Sequence, residues 1–390
     1  MARTDEVCPA CGSPILEPFF DLPSVPVLCN VLADDRQTAL AAATSGVSLA
    51  ICTACSLVMN QAFDPRLVEY SVGYENSLHH SPSFQVHAEE VAARLVEHHD
   101  VRRATVLEIG PGRGDFLVLL STLGENDAIG YEPSHDPDRR PSDPSGRVRI
   151  LPEPFPLDHA HRADLVCARH VLEHISEPVP LLGAMRAAIV DADGVAYVEV
   201  PDGGYLLERT ALWDVIYEHC LHFTGPALRA AAAAAGLDVV DLGRAFGDQF
   251  LWAELRRAHG PADQLPDQFA VRSARRAAAT FRRHAADLVE RADELITSAS
   301  TRGPIVLWGA GSKGVTFLNL VPAADRIAVA VDVNPFKHGR FVPVAGHEVV
   351  APDALVDVDP RTVVVLNGNY IDEVSADLAR LGVRATVVTP

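Results

Sequence analysis

The stretch that constrains the fold most is a predicted strand that runs into a glycine triad and then into a helix. Residues 104–117 read Ala-Thr-Val-Leu-Glu-Ile-Gly-Pro-Gly-Arg-Gly-Asp-Phe-Leu. Gly110, Gly112 and Gly114 allow the backbone to turn tightly and to approach a ligand closely. We therefore predict an α/β domain with a ligand site at the end of this strand. The triad alone is a weak signal, because NAD-binding enzymes carry a similar one.

Two acidic residues narrow the choice of ligand. Glu108 stands two residues before the first glycine, where it can meet a cationic ligand, and Glu132 ends the next predicted strand, where it suits a ribose diol. S-adenosylmethionine (SAM) carries a sulfonium and an ammonium but no pyrophosphate. The pattern therefore resembles the class I SAM-dependent methyltransferases more than the NAD enzymes. The resemblance implies that Arg169 and His170, at the end of the fourth strand, lie near the cofactor; His174 could also reach it, but we expect a packed helix residue.

Four of the seven cysteines are arranged in two C-x2-C pairs, Cys8 with Cys11 and Cys52 with Cys55. Four thiolates can surround Zn²⁺ in a tetrahedron at about 2.3 Å. Because all four ligands are then cysteines, no position stays open and the ion should be structural. Chance spacing and a redox pair are the alternatives, and the absence of a βαβ pattern around either pair argues against the redox role.

A segment rich in catalytic residue types follows the predicted fifth strand. It contains Tyr217, Glu218, His219 and His222 among apolar neighbours. A strand end is where ligands bind in open α/β sheets, so this segment is the candidate active site. A surface loop with hydrogen-bonded histidines is the alternative.

Together these motifs make nearly the whole chain similar to the C-methyltransferases of nucleotide-deoxysugar biosynthesis. The resemblance is carried by the cysteine pairs, by the Glu218-His219 pair, and by the stretches 309–314 (Gly-Ala-Gly-Ser-Lys-Gly) and 331–340 (Val-Asp-Val-Asn-Pro-Phe-Lys-His-Gly-Arg). It implies an α/β fold in which a class I SAM-methyltransferase Rossmann-like domain is flanked by an N-terminal zinc module and a second, C-terminal Rossmann-like domain. The expected division is 1–75 for a substrate-contacting zinc module, 76–265 for the SAM domain, 266–302 for a helical linker and 303–390 for the C-terminal domain.

The resemblance also implies a reaction, namely carbon methylation of a nucleotide-linked 4-keto-deoxysugar. A base removes the acidic proton beside the ketone, and the carbanion then takes the methyl group of SAM in line. His219 stands at the family's base and Glu218 would orient it, while Tyr74 or His222 could stabilise the enolate oxygen. The segment departs from the family pattern, because Ile216 stands at the family's tyrosine and Tyr217 at its first histidine.

The C-terminal region repeats the order of strand, glycine-rich turn and helix. A second dinucleotide site is the simplest interpretation, but the resemblance implies a role in holding the sugar nucleotide. Lys313, Lys337 and Arg340 are then the candidate phosphate partners, and Tyr217 is a further candidate for substrate contact. A purely structural duplicate of the first sheet remains the alternative.

Charge limits the remaining function classes. The 52 acidic and 33 basic residues give a formal net charge of −19, which disfavours nucleic-acid partners. An RNA methyltransferase guided by a zinc module is thus a weaker alternative, as is a non-catalytic SAM-binding or sugar-nucleotide-binding protein. Methylation of oxygen or nitrogen in a sugar or another small natural-product intermediate is the main competing reaction. We expect a cytoplasmic protein, monomeric or weakly homo-oligomeric, that acts on a small molecule and has no nucleic-acid or membrane partner.

Overall fold

The computed structural model describes residues 7–68, 73–158, 161–190, 193–260 and 267–390. The strands of these residues form three sheets. In chain order they are β1 (Leu16–Pro26), β2 (Thr44–Cys52), β3 (Val58–Asn60), β4 (Thr105–Ile109), β5 (Asp127–Tyr131), β6 (Val148–Leu151), β7 (Leu165–Arg169), β8 (Val195–Pro201), β9 (Leu221–His222), β10 (Leu237–Ala245), β11 (Phe250–Arg257), β12 (Ile305–Trp308), β13 (Ile327–Val331), β14 (Val349–Val350), β15 (Thr362–Val365) and β16 (Thr386–Val388).

The α-helices of the described residues pack around these sheets. They are α1 (Arg36–Leu40), α2 (Pro82–His98), α3 (Asp115–Gly124), α4 (Pro178–Ala188), α5 (Gly203–Arg209), α6 (Gly225–Ala234), α7 (Gln268–Ser300), α8 (Ser312–Leu320), α9 (Leu355–Val358) and α10 (Ile371–Leu381). None of the helices in the described part of the chain is long and apolar enough to cross a membrane.

The central sheet has seven strands in the order β10-β11-β8-β7-β4-β5-β6. All neighbours from β6 to β8 are parallel, and β11 runs antiparallel to both β8 and β10. The chain moves outward from β4 through β5 to β6 and then returns to β7 on the other side of β4. This reversal creates a topological switch point between β4 and β7, the place where open α/β sheets bind ligands.

The C-terminal sheet repeats this design on a smaller scale. Its five strands are all parallel and lie in the order β14-β13-β12-β15-β16. A second switch point therefore lies between β12 and β15. The predicted α/β fold with two Rossmann-like sheets is confirmed.

The N-terminal sheet is antiparallel and has the order β1-β2-β3-β9. Its last strand, β9, comes from the candidate active-site segment, where Val58 pairs with His222 and Met59 with Leu221. Residues within the expected range of the SAM domain thus complete the N-terminal sheet. The start of the expected zinc module falls in 1–6, and the expected boundary at 265/266 between the SAM domain and the helical linker falls in 261–266. Both lie outside the described residues, and the domain division stays a prediction.

The residues at the helix ends explain where some of the helices begin. Ser81 accepts a hydrogen bond from the backbone N–H of Phe84 and caps α2, with Pro82 at its first position. The predicted long helix is the single helix α7, whose buried alanines and Phe281 pack in the same core as β1 and β12. After β7 the expected helix is only a 3₁₀ turn over Leu172–His174, and α4 starts later, at Pro178.

Candidate active site at two switch points

One cavity of about 730 Å³ lies where the three sheets meet. Its walls include the ends of β4 and β7, the segment that contains His219, and the loop 74–81. The glycine-rich turn after β12 and Asn367, two residues beyond β15, complete it. The two switch points therefore open into one shared space, large enough for a cofactor together with a second small molecule.

Glu108 and the glycine triad form the part of the wall at the end of β4. Glu108 is buried, its Oε2 has no hydrogen-bond partner among the described residues, and burial raises the pKa of its carboxyl to about 8. Gly112 has a φ of +57°, and a Cβ there would meet no atom of the described chain within 4 Å. Gly110 also has a positive φ, but a Cβ there would lie 2.5 Å from the Cγ2 of Val171. Gly112 thus leaves room for a ligand, and Glu108 supplies an uncompensated acid beside it.

Glu132, Arg169 and His170, which were also predicted to bind the cofactor, line this end of the cavity, and other residues of the chain already contact them. Glu132 accepts a hydrogen bond from the backbone N–H of Gly112 at 3.0 Å. Arg169 donates to Glu199 Oε1 from Nε at 3.0 Å and from Nη2 at 2.8 Å, so its charge is already neutralised. His170 adopts a φ of +54°, and burial lowers the pKa of its imidazole. Gly114, with a φ of +97°, does not line the cavity and caps α3.

The predicted base lies among other histidines. The ring centroids of His219 are 4.8 Å from His174 and 6.1 Å from His222, and all three side chains line the cavity. Burial lowers the pKa of His219 well below its usual value, which keeps the imidazole neutral near pH 7. Burial also lowers the pKa of His222 to about 4. His174, which we expected to be packed inside a helix, is instead part of the cavity wall.

Glu218 links the active-site segment to the N-terminal region. Its carboxylate accepts a hydrogen bond from the backbone N–H of Cys29 at 3.2 Å and one from the Tyr74 hydroxyl. Burial nevertheless raises its pKa to about 7. Asn30 is 3.4 Å from both the Tyr74 hydroxyl and the Ser312 hydroxyl. A chain of polar contacts therefore joins Glu218 to Ser312, the first residue of α8 at the C-terminal switch point.

Tyr217 does not lie where a substrate contact was expected. The side chain is fully buried, does not line the cavity, and packs on Phe63 with ring centroids 5.5 Å apart. Its hydroxyl accepts a hydrogen bond from the backbone N–H of Asp64 at 2.8 Å and is 3.4 Å from the carbonyl of Ala62. The structure thus places Tyr217 in the support of the active-site segment.

Of the three basic residues predicted to contact phosphate, two line the cavity and one does not. Lys313, at the start of α8, lines the cavity and is paired with Asp214. Lys337 also lines it, and its Nζ contacts Asp332 at 3.3 Å and the carbonyl of Ala310 at 3.2 Å. Arg340 does not line the cavity; it forms an ion pair of 2.8 Å with Asp34 in the N-terminal region. The expected phosphate contact of Arg340 is therefore not supported.

Sequence reasoning missed most of the cavity wall contributed by the loop 74–81, of which only Tyr74 was singled out. Glu75, in this loop, forms an ion pair with Arg139 and accepts a hydrogen bond from the side chain of Asn334 at 2.9 Å. It therefore connects the central and C-terminal parts of the wall. The only available signal was the density of polar and aromatic residues in 74–80, which does not reveal the partners.

The four paired cysteines come together away from this cavity. Their sulfur atoms all lie within 4.8 Å of one another, and the Sγ–Sγ distances are 3.6 Å for Cys8–Cys55 and for Cys11–Cys52. A disulfide would require about 2.05 Å. Four thiolates around one ion at about 2.3 Å give sulfur separations close to those observed. This donor set fits a structural zinc ion.

Two family models match the chain. A methyltransferase domain matches residues 84–242, and a C-methyltransferase C-terminal domain matches residues 270–388. The chain is thus a SAM-dependent methyltransferase that carries a C-methyltransferase C-terminal domain. This confirms the predicted enzyme class. No curated protein matches the chain in sequence.

Several solved methyltransferase structures resemble about two fifths of the chain. A methyltransferase of calicheamicin biosynthesis in its SAH-bound form is 20% identical over 43% of this chain and 54% of its own, with a TM-score of 0.35. The 1,6-didemethyltoxoflavin N1-methyltransferase of Burkholderia thailandensis is 20% identical over 45% and 81% (TM-score 0.36). Magnesium protoporphyrin IX methyltransferase of Synechocystis is 14% identical over 45% and 84% (TM-score 0.36).

Proposed function

We propose that the chain methylates a carbon atom of a nucleotide-linked 4-keto-deoxysugar. The observation that carries this proposal is the position of His219. Its imidazole lies on the wall of a cavity shared by two switch points, and its Nδ1 is buried without a hydrogen-bond partner among the described residues. The match to a C-methyltransferase C-terminal domain favours carbon as the methyl acceptor.

The residues at the end of β4 fit the methyl donor. Glu108 would face the ammonium group of SAM, and Glu132 would face the ribose hydroxyls of SAM. Gly112, which has no side chain, would leave room for SAM next to the backbone. The buried, unpartnered oxygen of Glu108 supports this assignment, because a cationic ligand would compensate its charge. When bound, SAM supplies an electrophilic methyl group.

The proton chemistry is assigned to the active-site segment. A neutral imidazole can accept a proton, and the lowered pKa of His219 keeps it neutral. The C–H bond beside a ketone is acidic because the resulting enolate is delocalised. His219 would remove this proton, and Glu218 would orient the segment through its bond to Cys29. His222 would donate a hydrogen bond to the enolate oxygen, and the Tyr74 hydroxyl would do so by turning its proton from Glu218 to the substrate.

The nucleotide part of the substrate would lie toward the C-terminal switch point. Lys313 and Lys337 line the cavity there, and no side chain caps the first backbone N–H groups of α8. A phosphate group would compete with Asp214 for Lys313. The four cysteines would hold a structural zinc ion that stabilises the N-terminal sheet, and Asn30, four residues after β1 of this sheet, lines the cavity.

Product analysis tests this function. The protein is incubated with SAM and a panel of dTDP-4-keto-deoxysugars, and the products are examined by mass spectrometry and proton NMR. The proposal predicts one added methyl group on a ring carbon. A methyl group on oxygen or nitrogen would instead establish the competing reaction. Tight SAM binding without any methylated product would contradict the proposed substrate class.

A further inference from the structure

A cluster of three side chains on the cavity wall has a composition typical of metal sites. Glu173, His174 and His219 each offer one ligand atom, and these atoms lie within 4.8 Å of one another. The first two follow β7, and the third belongs to the active-site segment. Two imidazoles and one carboxylate with an open position bind zinc and other first-row divalent ions.

Two atoms of this cluster lack partners. Glu173 is 1% exposed, and its Oε2 has no hydrogen-bond partner within the described part of the chain; the same holds for the buried Nδ1 of His219. Buried polar atoms without partners are rare, because desolvation costs free energy that no contact offsets. An ion bound by Glu173 would compensate its buried oxygen.

The third residue is held in a suitable tautomer. His174 Nδ1 lies 3.1 Å from the backbone carbonyl of Glu218. Since a carbonyl oxygen only accepts, Nδ1 must carry the proton, and the lone pair of the neutral ring is then on Nε2. Histidines that bind metals usually donate their other ring N–H to a carbonyl or a carboxylate in this way.

A second cluster of the same composition lacks these features. The ligand atoms of His98, His99 and Glu254 also lie within 4.8 Å of one another. There, however, Glu254 accepts a hydrogen bond from His99 at 2.8 Å through one oxygen and pairs with Arg94 through the other. An ion would have to displace both contacts. The comparison favours the cavity cluster as the site.

We propose that Glu173, His174 and His219 bind Zn²⁺ or a similar first-row divalent ion at a site separate from the four cysteines. Bonds of about 2.0–2.2 Å would draw the three side chains together. An ion that occupies the His219 lone pair prevents this residue from accepting a proton, so metal binding inhibits methyl transfer. The inhibition rests on the proposed function, whereas the metal site itself does not.

Cobalt binding tests the site on the full chain with the four-cysteine site filled by zinc and loosely bound metal removed. Co²⁺ is titrated and followed by visible absorption, where nitrogen and oxygen ligands give weak bands and thiolates give intense charge-transfer bands. We expect one equivalent with weak bands only. Glu173→Gln and His174→Gln should each weaken this binding at least tenfold. His98→Ala, in the other cluster, should leave it unchanged.

The outcomes separate the two proposals. No additional equivalent of Co²⁺, unchanged binding in both the Glu173→Gln and His174→Gln variants, or loss of binding in His98→Ala would overturn the metal site. Inhibition of methyl transfer by Zn²⁺ that Glu173→Gln relieves would support the competition. If Co²⁺ binds as expected but no keto-sugar is methylated, the metal site stands and the proposed function fails.

Discussion

His174 donates a hydrogen bond from Nδ1 to the backbone carbonyl of Glu218, 3.1 Å away. This contact ties the turn after β7 to the active-site segment, one residue before the proposed base. The same segment continues into β9, which pairs with the N-terminal sheet. The position of His219 is therefore fixed from two sides, by the central sheet and by the sheet next to the four cysteines.

Replacing Glu108 should weaken the binding of SAM. Glu108→Gln keeps the shape of the side chain but removes the charge expected to face the SAM ammonium. A charge-assisted hydrogen bond contributes about 1.5–3 kcal/mol, so SAM affinity should fall by roughly tenfold to a hundredfold, measured by calorimetry. Unchanged affinity would contradict the assignment.

The pKa of Glu108 also predicts how SAM binding depends on pH. Burial raises this pKa to about 8, so the carboxylate becomes more populated as the pH rises from 6 to 8. Since a cation binds the ionised form, SAM affinity of the wild-type protein should rise over this range. Without ligand, the raised pKa means that the folded chain holds a proton that the unfolded chain has lost, so this group lowers stability as the pH rises toward 8. Glu108→Gln should remove the rise in SAM affinity and reduce the fall in stability, to which the raised pKa of Glu218 also contributes.

Two glycines at the end of β4 offer a matched test of the proposed SAM site. Gly110 and Gly112 both have a positive φ, so alanine at either position costs about 1–2 kcal/mol of stability. Gly110→Ala also places a Cβ 2.5 Å from Val171, so it should lower the melting temperature further. Gly112→Ala directs its Cβ into the cavity and should weaken SAM binding by roughly tenfold or more, about 1.4 kcal/mol. Equal SAM affinity in Gly112→Ala and wild type would contradict the proposal that SAM lies next to Gly112.

Removal of one cysteine ligand should release zinc and loosen the N-terminal sheet. Once loosely bound metal has been removed, so that the site at Glu173, His174 and His219 is empty, we expect one zinc ion per chain by elemental analysis and none in Cys52→Ser, with a clear loss of thermal stability. Cys167→Ala provides the control, because Cys167 is fully buried in β7 and lies outside the cluster. Retention of zinc by Cys52→Ser would contradict the predicted site.

Two tyrosines should differ in how loss of the hydroxyl group affects kcat. Tyr217→Phe removes the acceptor of the Asp64 N–H, so it should lower the free energy of unfolding by about 1 kcal/mol and leave kcat and KM unchanged. Tyr74→Phe removes a hydroxyl next to Glu218 on the cavity wall. It should lower kcat by roughly 100-fold, and loss of its hydrogen bond to Glu218 should also cost about 1 kcal/mol of stability. A large kinetic effect of Tyr217→Phe would restore its predicted substrate contact.

The sequence predicted those parts of the structure that depend on local patterns. The strand, glycine turn and helix around Gly110–Gly114 and the spacing of the four cysteines each carry their own physical signal. The two parallel sheets follow from these units, because strand, turn and helix repeat in both halves of the chain.

Contacts between distant residues could not be predicted in this way. Arg340 pairs with Asp34, and Glu75 bonds Asn334, across more than 250 positions of the chain. The local sequence gives no information on such partners. The direction of Tyr217 was also inaccessible: the chain turns at 217–218, so residue spacing does not indicate which side chains share a face, and Tyr217 packs on Phe63 while His219 lines the cavity.

Hydrogen exchange at the substrate is the most direct test of the proposed chemistry. The protein is mixed with a dTDP-4-keto-deoxysugar in heavy water without SAM, and loss of the proton beside the ketone is followed by NMR. We predict that the wild-type chain catalyses deuterium incorporation at that carbon and that His219→Gln, which still binds SAM, does not. Exchange by His219→Gln within about tenfold of the wild-type rate, a difference of about 1.4 kcal/mol in barrier, would contradict the role of His219 as the base.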